Sequence, residues 1–247
     1  MLKYILLGII QGFTEFFPVS SSGHLAILQK LLGMTKDVVA LSVVLHFGTA
    51  LAVIIFFFKD IWAAMRSLRI SSFIIIVTLI TGIIGVCGKH LFEGMFDSSK
   101  AIGIAWIITG LVLLLTRRFS DGERKAVGIK DAVILGVTQG LAIIPGISRS
   151  GITISTLLFR GISRELSFSF SFLASIPAIL GAGLLEGRDI DFALKSNFKN
   201  FTVGFIFSFL TGLAALWLLK KIMQKAKLHY FGYYCIIAAA LTLLLVK

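Results

Sequence analysis

One carboxylate, Glu15, and one guanidinium, Arg149, sit in polar motifs inside otherwise membrane-grade hydrophobic sequence. The first motif reads Gln11-Gly12-Phe13-Thr14-Glu15-Phe16-Phe17-Pro18-Val19-Ser20-Ser21-Ser22-Gly23-His24. The second reads Gln139-Gly140-Leu141-Ala142-Ile143-Ile144-Pro145-Gly146-Ile147-Ser148-Arg149-Ser150-Gly151. Gln-Gly opens both and Ser-x-Ser-Gly closes both at a constant offset of 128 residues; only the proline slips, by one place. Packing does not ask for polar groups at membrane depth, where they are expensive. The repeat therefore predicts two half-sites meeting at one small, polar, phosphate-sized pocket.

Each residue type suggests a task. Glu15 is the single carboxylate within the apolar runs, the other eleven acids falling in or beside loops; it can act as a base or hold a metal. Arg149 is flanked by Ser148 and Ser150 and followed by Gly151 and Thr153. A guanidinium fork, hydroxyls and glycine-exposed N–H groups suit phosphate oxygens, and a helix starting near Gly151 would add partial positive charge. Ser20, Ser21 and Ser22 offer hydroxyls to bind a phosphate or to attack it. His24, directly after Gly23, can move a proton near neutral pH. His46, inside an apolar run, is read as a helix–helix hydrogen-bonding residue rather than a cavity lining. His90 and His229 read as interfacial loop residues. Cys87 and Cys235 read as small buried hydrophobes, with no disulfide framework or metal-ligand spacing.

Composition sets the frame for these motifs. Hydrophobic residues make up 57% of the 247 residues, charged residues 15%, and the mean hydropathy is +0.97. That identifies an integral membrane protein, and apolar runs of helix length make it all-α. The net charge of +12 sits in the breaks between apolar runs, which suits membrane lipid and orientation rather than nucleic acid. No basic helix or aromatic–basic interleaving argues for a nucleic-acid partner. The first 24 residues imitate a signal peptide, but Gln11, Glu15 and Pro18 fit one poorly and the pattern recurs in mid-chain. They are read as part of the mature protein.

Six transmembrane helices are expected, over roughly 38–58, 70–87, 101–116, 166–185, 201–219 and 231–246. The motif regions, about 4–32 and 132–160, read as re-entrant helical hairpins, since irregular backbone at that depth must be buried in protein or line a wet cavity. Arg149 apart, fourteen Lys and Arg fall on one side of this topology and nine on the other. The richer side is then cytoplasmic, both termini lie outside, and the hairpins enter from opposite faces. The chain reads as one membrane domain, 1–247, built as an inverted-topology repeat of halves about 1–128 and 129–247, a plan that transporters also use.

The residues Gln11-x-x-x-Glu15, Pro18-Val19-Ser20-Ser21-Ser22-Gly23-His24 and Pro145-Gly146-Ile147-Ser148-Arg149-Ser150-Gly151-x-Thr153 closely resemble the bacterial undecaprenyl-diphosphate phosphatase family, also called the bacitracin-resistance protein family. The resemblance covers the whole chain. It implies hydrolysis of a C55 polyprenyl diphosphate lipid to the monophosphate, which recycles the carrier for peptidoglycan and removes the form that bacitracin binds. It implies a multi-pass protein of the bacterial inner membrane, dependent on Mg2+ or Ca2+, with a site opening to the periplasm. Glu15 matches the essential acidic position and a metal ligand, and Arg149 the phosphate-binding arginine. Ser21 and His24 match the proposed nucleophile or acid/base positions, and Ser148 and Thr153 match polar positions of the second motif. Gln11 stands where the family allows Glu or Gln, so schemes with two carboxylates on one metal are weakened. With Gln11, Ser148 and Thr153, the residues Ser20, Ser22, Gly23, Ser150 and Gly151 complete the expected phosphate-binding set. Covalent phosphoserine and direct water attack both stay open, as does a homodimer. The competing class is a lipid flippase or transporter on the same scaffold.

Overall fold

The computed structural model describes residues 1–34, 38–119, 121–186 and 191–246, with side chains described outside 185–196. Its helices are α1 (Leu2–Phe16), α2 (Ser21–Leu31), α3 (Val38–Phe56), α4 (Phe58–Met65), α5 (Leu68–Phe96), α6 (Ser99–Leu115), α7 (Ile129–Leu141), α8 (Arg149–Phe159), α9 (Arg164–Glu186), α10 (Asp191–Gln224) and α11 (Tyr230–Leu245). Five of them, α3, α5, α6, α9 and α10, are long and apolar enough to cross a membrane. The sixth expected span, α11, is an apolar helix of 16 residues, about 24 Å long at 1.5 Å per residue against a hydrocarbon core of about 30 Å. Two expected spans are longer than their apolar runs. α5 continues to Phe96, and α10 extends through a break in helical geometry at Asn197 (φ −121°, ψ 21°). The segment after 58, expected as a loop, contains α4.

The two motifs form helical hairpins, α1–α2 and α7–α8. Phe17, just before Pro18, takes an extended conformation (φ −62°, ψ 142°), as the residue preceding a proline should, and α1 stops there. Each second helix starts on a serine cap. Ser20 Oγ accepts the Gly23 N–H (3.4 Å) and Ser148 Oγ accepts the Gly151 N–H (3.1 Å), so the closing Ser-x-Ser-Gly of both motifs is first a helix start.

The opening Gln-Gly also has a packing reason. α1 lies along α10, and α7 lies along α5, so each hairpin rests on a long helix of the other half. A Cβ on Gly12 would fall 1.9 Å from Thr211 Oγ1, and one on Gly140 would fall 2.6 Å from Ile84 Cδ1. Such close approach is how small residues bind helices where lipid removes the usual hydrophobic drive. α6 and α11 pair similarly, a Cβ on Gly232 falling 2.8 Å from the Gly110 carbonyl oxygen.

Below the hairpins a cluster of aromatic rings fills the interior. Phe16, Phe57, Phe168 and Phe172 are all at most 3% exposed, and Phe172 meets Phe16 edge-on at 5.6 Å. Leu79, Val86 and Leu244 are among the large apolar side chains left on the outside, the surface expected where the solvent is lipid. At the base of the second hairpin, Asp131 is buried and accepts from Arg124 Nη2 (2.5 Å), Arg160 Nε (2.9 Å) and the Gly128 N–H (2.8 Å). Those bonds clamp the segment before α7 to the end of α8.

Candidate active site

The hairpin tips touch. The Gly146 N–H donates to Ser20 Oγ (3.1 Å) and Ser150 Oγ donates to the Phe17 carbonyl (3.3 Å). α6 braces both tips, because Trp106 Nε1 donates to the Val19 carbonyl (2.7 Å) and Thr109 Oγ1 donates to the Gly146 carbonyl (3.0 Å). Two tip residues have positive φ, Ser20 at 66° and Gly146 at 96°. At Gly146 a Cβ would also fall 2.5 Å from the Ile102 carbonyl oxygen, so glycine is required twice over. Ser20 is not a glycine, and its strained backbone is held by bonds on both sides: its Oγ accepts from Gly23 and Gly146, and its carbonyl accepts from His24 Nδ1 (2.7 Å). Strain held this firmly is typical of functional sites.

Within this frame one carboxylate collects its partners. Glu15, 7% exposed, takes Arg149 Nη2 on Oε1. Its Oε2 accepts from Ser21 Oγ (2.6 Å) and Gln11 Nε2 (3.1 Å), and His46 Nε2 stands 3.5 Å away. Ser21 and Arg149 are the first residues of α2 and α8, and they occupy the same place in the repeat, 128 residues apart. Two helix N-termini therefore converge on the carboxylate, each bringing partial positive charge. The guanidinium carbon lies 6.0 Å from the Phe172 ring centroid. Its other terminal nitrogen, Nη1, is buried with no hydrogen-bond partner, and so is Gln11 Oε1. A buried charged donor left unpaired is costly unless a ligand completes it.

The arrangement has definite chemical capacities. An unpartnered guanidinium nitrogen beside two helix N-termini has the donors and the charge that suit phosphate oxygens. A serine hydroxyl donating a short bond to a carboxylate has the geometry that a nucleophile needs toward a base.

Of the residues singled out in the sequence, Gln11, Glu15, Ser21 and Arg149 are brought together. The others serve the frame. Ser20 and Ser148 are caps, Ser22 Oγ contacts Ser20 Oγ (3.2 Å), and Ser150 Oγ contacts Ser148 Oγ (3.3 Å). Gly23 and Gly151, expected to offer N–H groups to phosphate, instead donate to those caps. Their lack of a side chain is explained by tip packing: a Cβ on Gly23 would lie 3.0 Å from the Trp106 ring, and one on Gly151 3.1 Å from Pro18 Cβ. Thr153 Oγ1 donates to the Arg149 carbonyl (2.7 Å) and contacts Ser171 Oγ (2.6 Å), which fixes the first turn of α8 rather than facing Glu15.

The two histidines exchange places. His24 bonds the Ser20 carbonyl through Nδ1 and Tyr234 Oη through Nε2 (2.6 Å), and its ring lies against Trp106 and Tyr234. The structure shows it turned to α6 and α11, with no contact to Glu15 or Arg149. His46, read from sequence as a helix–helix hydrogen-bonding residue, bonds the Ser42 carbonyl of its own helix (2.7 Å) and aims Nε2 at Glu15. The signal for it was present, a histidine inside an apolar span, where polar groups usually mark function. Both cysteines are free thiols, Cys235 buried and Cys87 exposed rather than buried as expected. Among the described residues no three His, Cys, Asp or Glu side chains gather into a metal cage.

Comparison with known proteins identifies the family of the chain. A family model described as bacitracin resistance protein BacA matches residues 4–241. A protein of Halothermothrix orenii named undecaprenyl-diphosphatase is 43% identical over 98% of this chain and 97% of its own length. Proteins of the same name from Carboxydothermus hydrogenoformans (42%, covering 93% and 91%) and Methanococcus maripaludis (37%, covering 98% and 99%) are similar throughout. With the paired hairpin motifs inside the matched region and similarity running nearly end to end, the chain belongs to the bacitracin resistance protein BacA family.

Proposed function

We propose that this protein hydrolyses undecaprenyl diphosphate to undecaprenyl phosphate and inorganic phosphate, the activity its relatives are named for. The observation that carries the reading is the Ser21–Glu15 bond of 2.6 Å beside the unpartnered Arg149 Nη1. Arg149 Nη1 and the N-termini of α2 and α8 take the oxygens of the terminal phosphate. Ser21 Oγ attacks the terminal phosphorus while its proton passes to Glu15, and the bond from phosphorus to the bridging oxygen breaks, releasing the lipid monophosphate. Water then attacks the phosphoserine, which returns the serine and frees phosphate. Charge neutralisation and in-line placement are what phosphoryl transfer requires of a protein. Tyr234, exposed beside His24, and the apolar outer faces of α6 and α11 offer the lipid tail a route from the bilayer.

The family resemblance also implies a divalent cation. Glu15 and the buried, unpartnered Gln11 Oε1 are oxygen donors that fit an ion drawing its remaining ligands from water and the diphosphate, as Mg2+ does. Those two residues would hold it, and it would draw charge from the phosphoryl oxygens. For orientation, the richer basic loops argue for the segments after α3, after α6 and after α10 lying in the cytoplasm and both termini outside, with the hairpins in an inverted repeat whose site opens to the periplasm. The exchanged packing of α1 on α10 and α7 on α5 supports that repeat.

Phosphate release from C55 polyprenyl diphosphate by purified protein in detergent, with no membrane gradient, is the test. A flippase releases none. Acid-quenched reactions should contain a phosphorylated Ser21 peptide; its absence during full turnover would shift the attack to water.

A further inference from the structure

Two Lewis bases on different helices face each other here without a hydrogen bond between them. His46 Nδ1 is bonded to the Ser42 carbonyl at 2.7 Å. A carbonyl only accepts, so Nδ1 carries a ring proton and Nε2 is the ring nitrogen turned to Glu15. That nitrogen stands 3.5 Å from Glu15 Oε2, outside the usual hydrogen-bond range. Two donors about 2.1 Å from one ion, subtending roughly 90–110°, lie about 3.0–3.5 Å apart. Fixing Nδ1 on a carbonyl is how proteins aim a ligating imidazole. Arg149 occupies Oε1, and Oε2, which accepts from Ser21 Oγ and Gln11 Nε2, is the oxygen that faces His46 Nε2. Gln11 supplies an independent observation: its Oε1 is buried without a partner, on the amide whose Nε2 bonds the same Glu15 oxygen. Turning that amide end over replaces a donor with a third ligand. The His46 side chain is 32% exposed, so the position is reachable.

We propose that Glu15 and His46, with Gln11, form a seat for a divalent cation, and that His46 makes it prefer a transition ion of the Mn2+ class over Ca2+. Imidazole suits first-row transition ions, whereas Ca2+ takes six to eight oxygens. The inference rests on the reading of Glu15 as the site carboxylate and adds to it the ligand that sets the metal.

The test is Mn2+ binding to purified protein in detergent without substrate, read by titration and by the 14N coupling in pulsed electron paramagnetic resonance. Wild type is expected to show imidazole nitrogen coupling on bound Mn2+. His46→Gln should lose the coupling and weaken Mn2+ at least about tenfold, leaving Ca2+ within about twofold. His24→Gln should keep the coupling. Thermal midpoints identify a misfolded variant, and His46→Asn then decides in its place. Absence of Mn2+ binding by wild type, or nitrogen coupling that survives in folded His46→Gln, overturns the seat. Phosphate release from polyprenyl diphosphate is measured on the same preparations. Coupling without hydrolysis overturns the proposed function and keeps the seat; hydrolysis without coupling overturns the seat alone.

Discussion

Arg149→Lys tests how the guanidinium is divided. Arg149 gives Nη2 to Glu15 and holds Nη1 buried and unpartnered. An ammonium at the same place is a single point of charge. It can stay with Glu15 or turn to the phosphate, but it cannot span both as the planar fork does. The variant therefore keeps its charge and loses one charge-assisted hydrogen bond to the reacting phosphate. Such bonds are worth about 1.5–3 kcal/mol, which corresponds to a loss of roughly ten- to a hundredfold in kcat/KM. Phosphate release in detergent gives the rate, and the thermal midpoint tells a folded variant from a damaged one. Because the Nη1 bond strengthens as charge builds on the phosphoryl oxygens, the loss should appear in kcat as well as in KM. A folded Arg149→Lys protein with nearly wild-type kcat/KM would show that Nη1 has no part in holding the phosphate.

Gly12→Ala should destabilise the protein by about 1–3 kcal/mol, the usual cost of overpacking, since its Cβ would meet Thr211 Oγ1 and the Ser208 carbonyl oxygen at 1.9 and 2.7 Å; an unchanged thermal midpoint would remove close approach as the reason for that glycine. Asp131, with its carboxyl held down at about 2 by Arg124, Arg160 and the Gly128 N–H against the penalty of burial, contributes stability that is complete above its unfolded value near 4 and is lost as pH falls through about 2. Asp131→Asn should lower the thermal midpoint at neutral pH and flatten its fall between pH 4 and 2, and an unaltered acid profile would refute the clamp. In a Cys87→Ser background, a cysteine at Lys227 should be labelled only from the cytoplasm and one at Glu93 only from outside; the reverse pattern would overturn the orientation and the periplasmic site with it.

What could be read from sequence follows from physical scale. The hairpins, the membrane class and the Glu15–Arg149 pair rest on signals spanning many residues or on charges too expensive to be accidental, and all were legible. Helix ends were less so: α5 and α10 outrun their apolar segments because helix continues through residues such as Lys89, His90, Lys220 and Lys221 that no longer need lipid. Side-chain direction was least legible. His24 lies three residues from Ser21, but its ring turns toward Tyr234, 210 residues away. His46 lies 31 residues beyond Glu15 and turns toward it. Nothing in the spacing of either histidine encodes which face of its helix meets the tips. The Ser-x-Ser-Gly repeats drew a ligand reading for every member, whereas most of those groups cap helices and join the tips, leaving only the first helical residue of each, Ser21 and Arg149, turned to Glu15.

The repeat explains why the site carries one ion pair and not two. At the offset of 128, the frame is duplicated: Gln139 answers Gln11, Gly140 answers Gly12, and Ser148 answers Ser20 as a cap. The chemistry is not. Ile143 stands opposite Glu15, Ser21 opposite Arg149, Ile152 opposite His24 and Ala174 opposite His46. Gln139 accordingly becomes a brace, its Nε2 donating to Thr81 Oγ1 (3.2 Å) and the Ala174 carbonyl (3.4 Å). Two identical half-sites would have set two carboxylates or two guanidiniums side by side at depth, where like charges are costly and unscreened. Splitting the roles lets one carboxylate neutralise one guanidinium while the cap-bearing frame stays shared. The pair is not self-satisfied, because Glu15 uses only one of the two terminal nitrogens of Arg149. The remaining donor is what the proposed phosphate would claim, so the divergence of the two halves leaves an ion pair with one free donor that neither half alone could form.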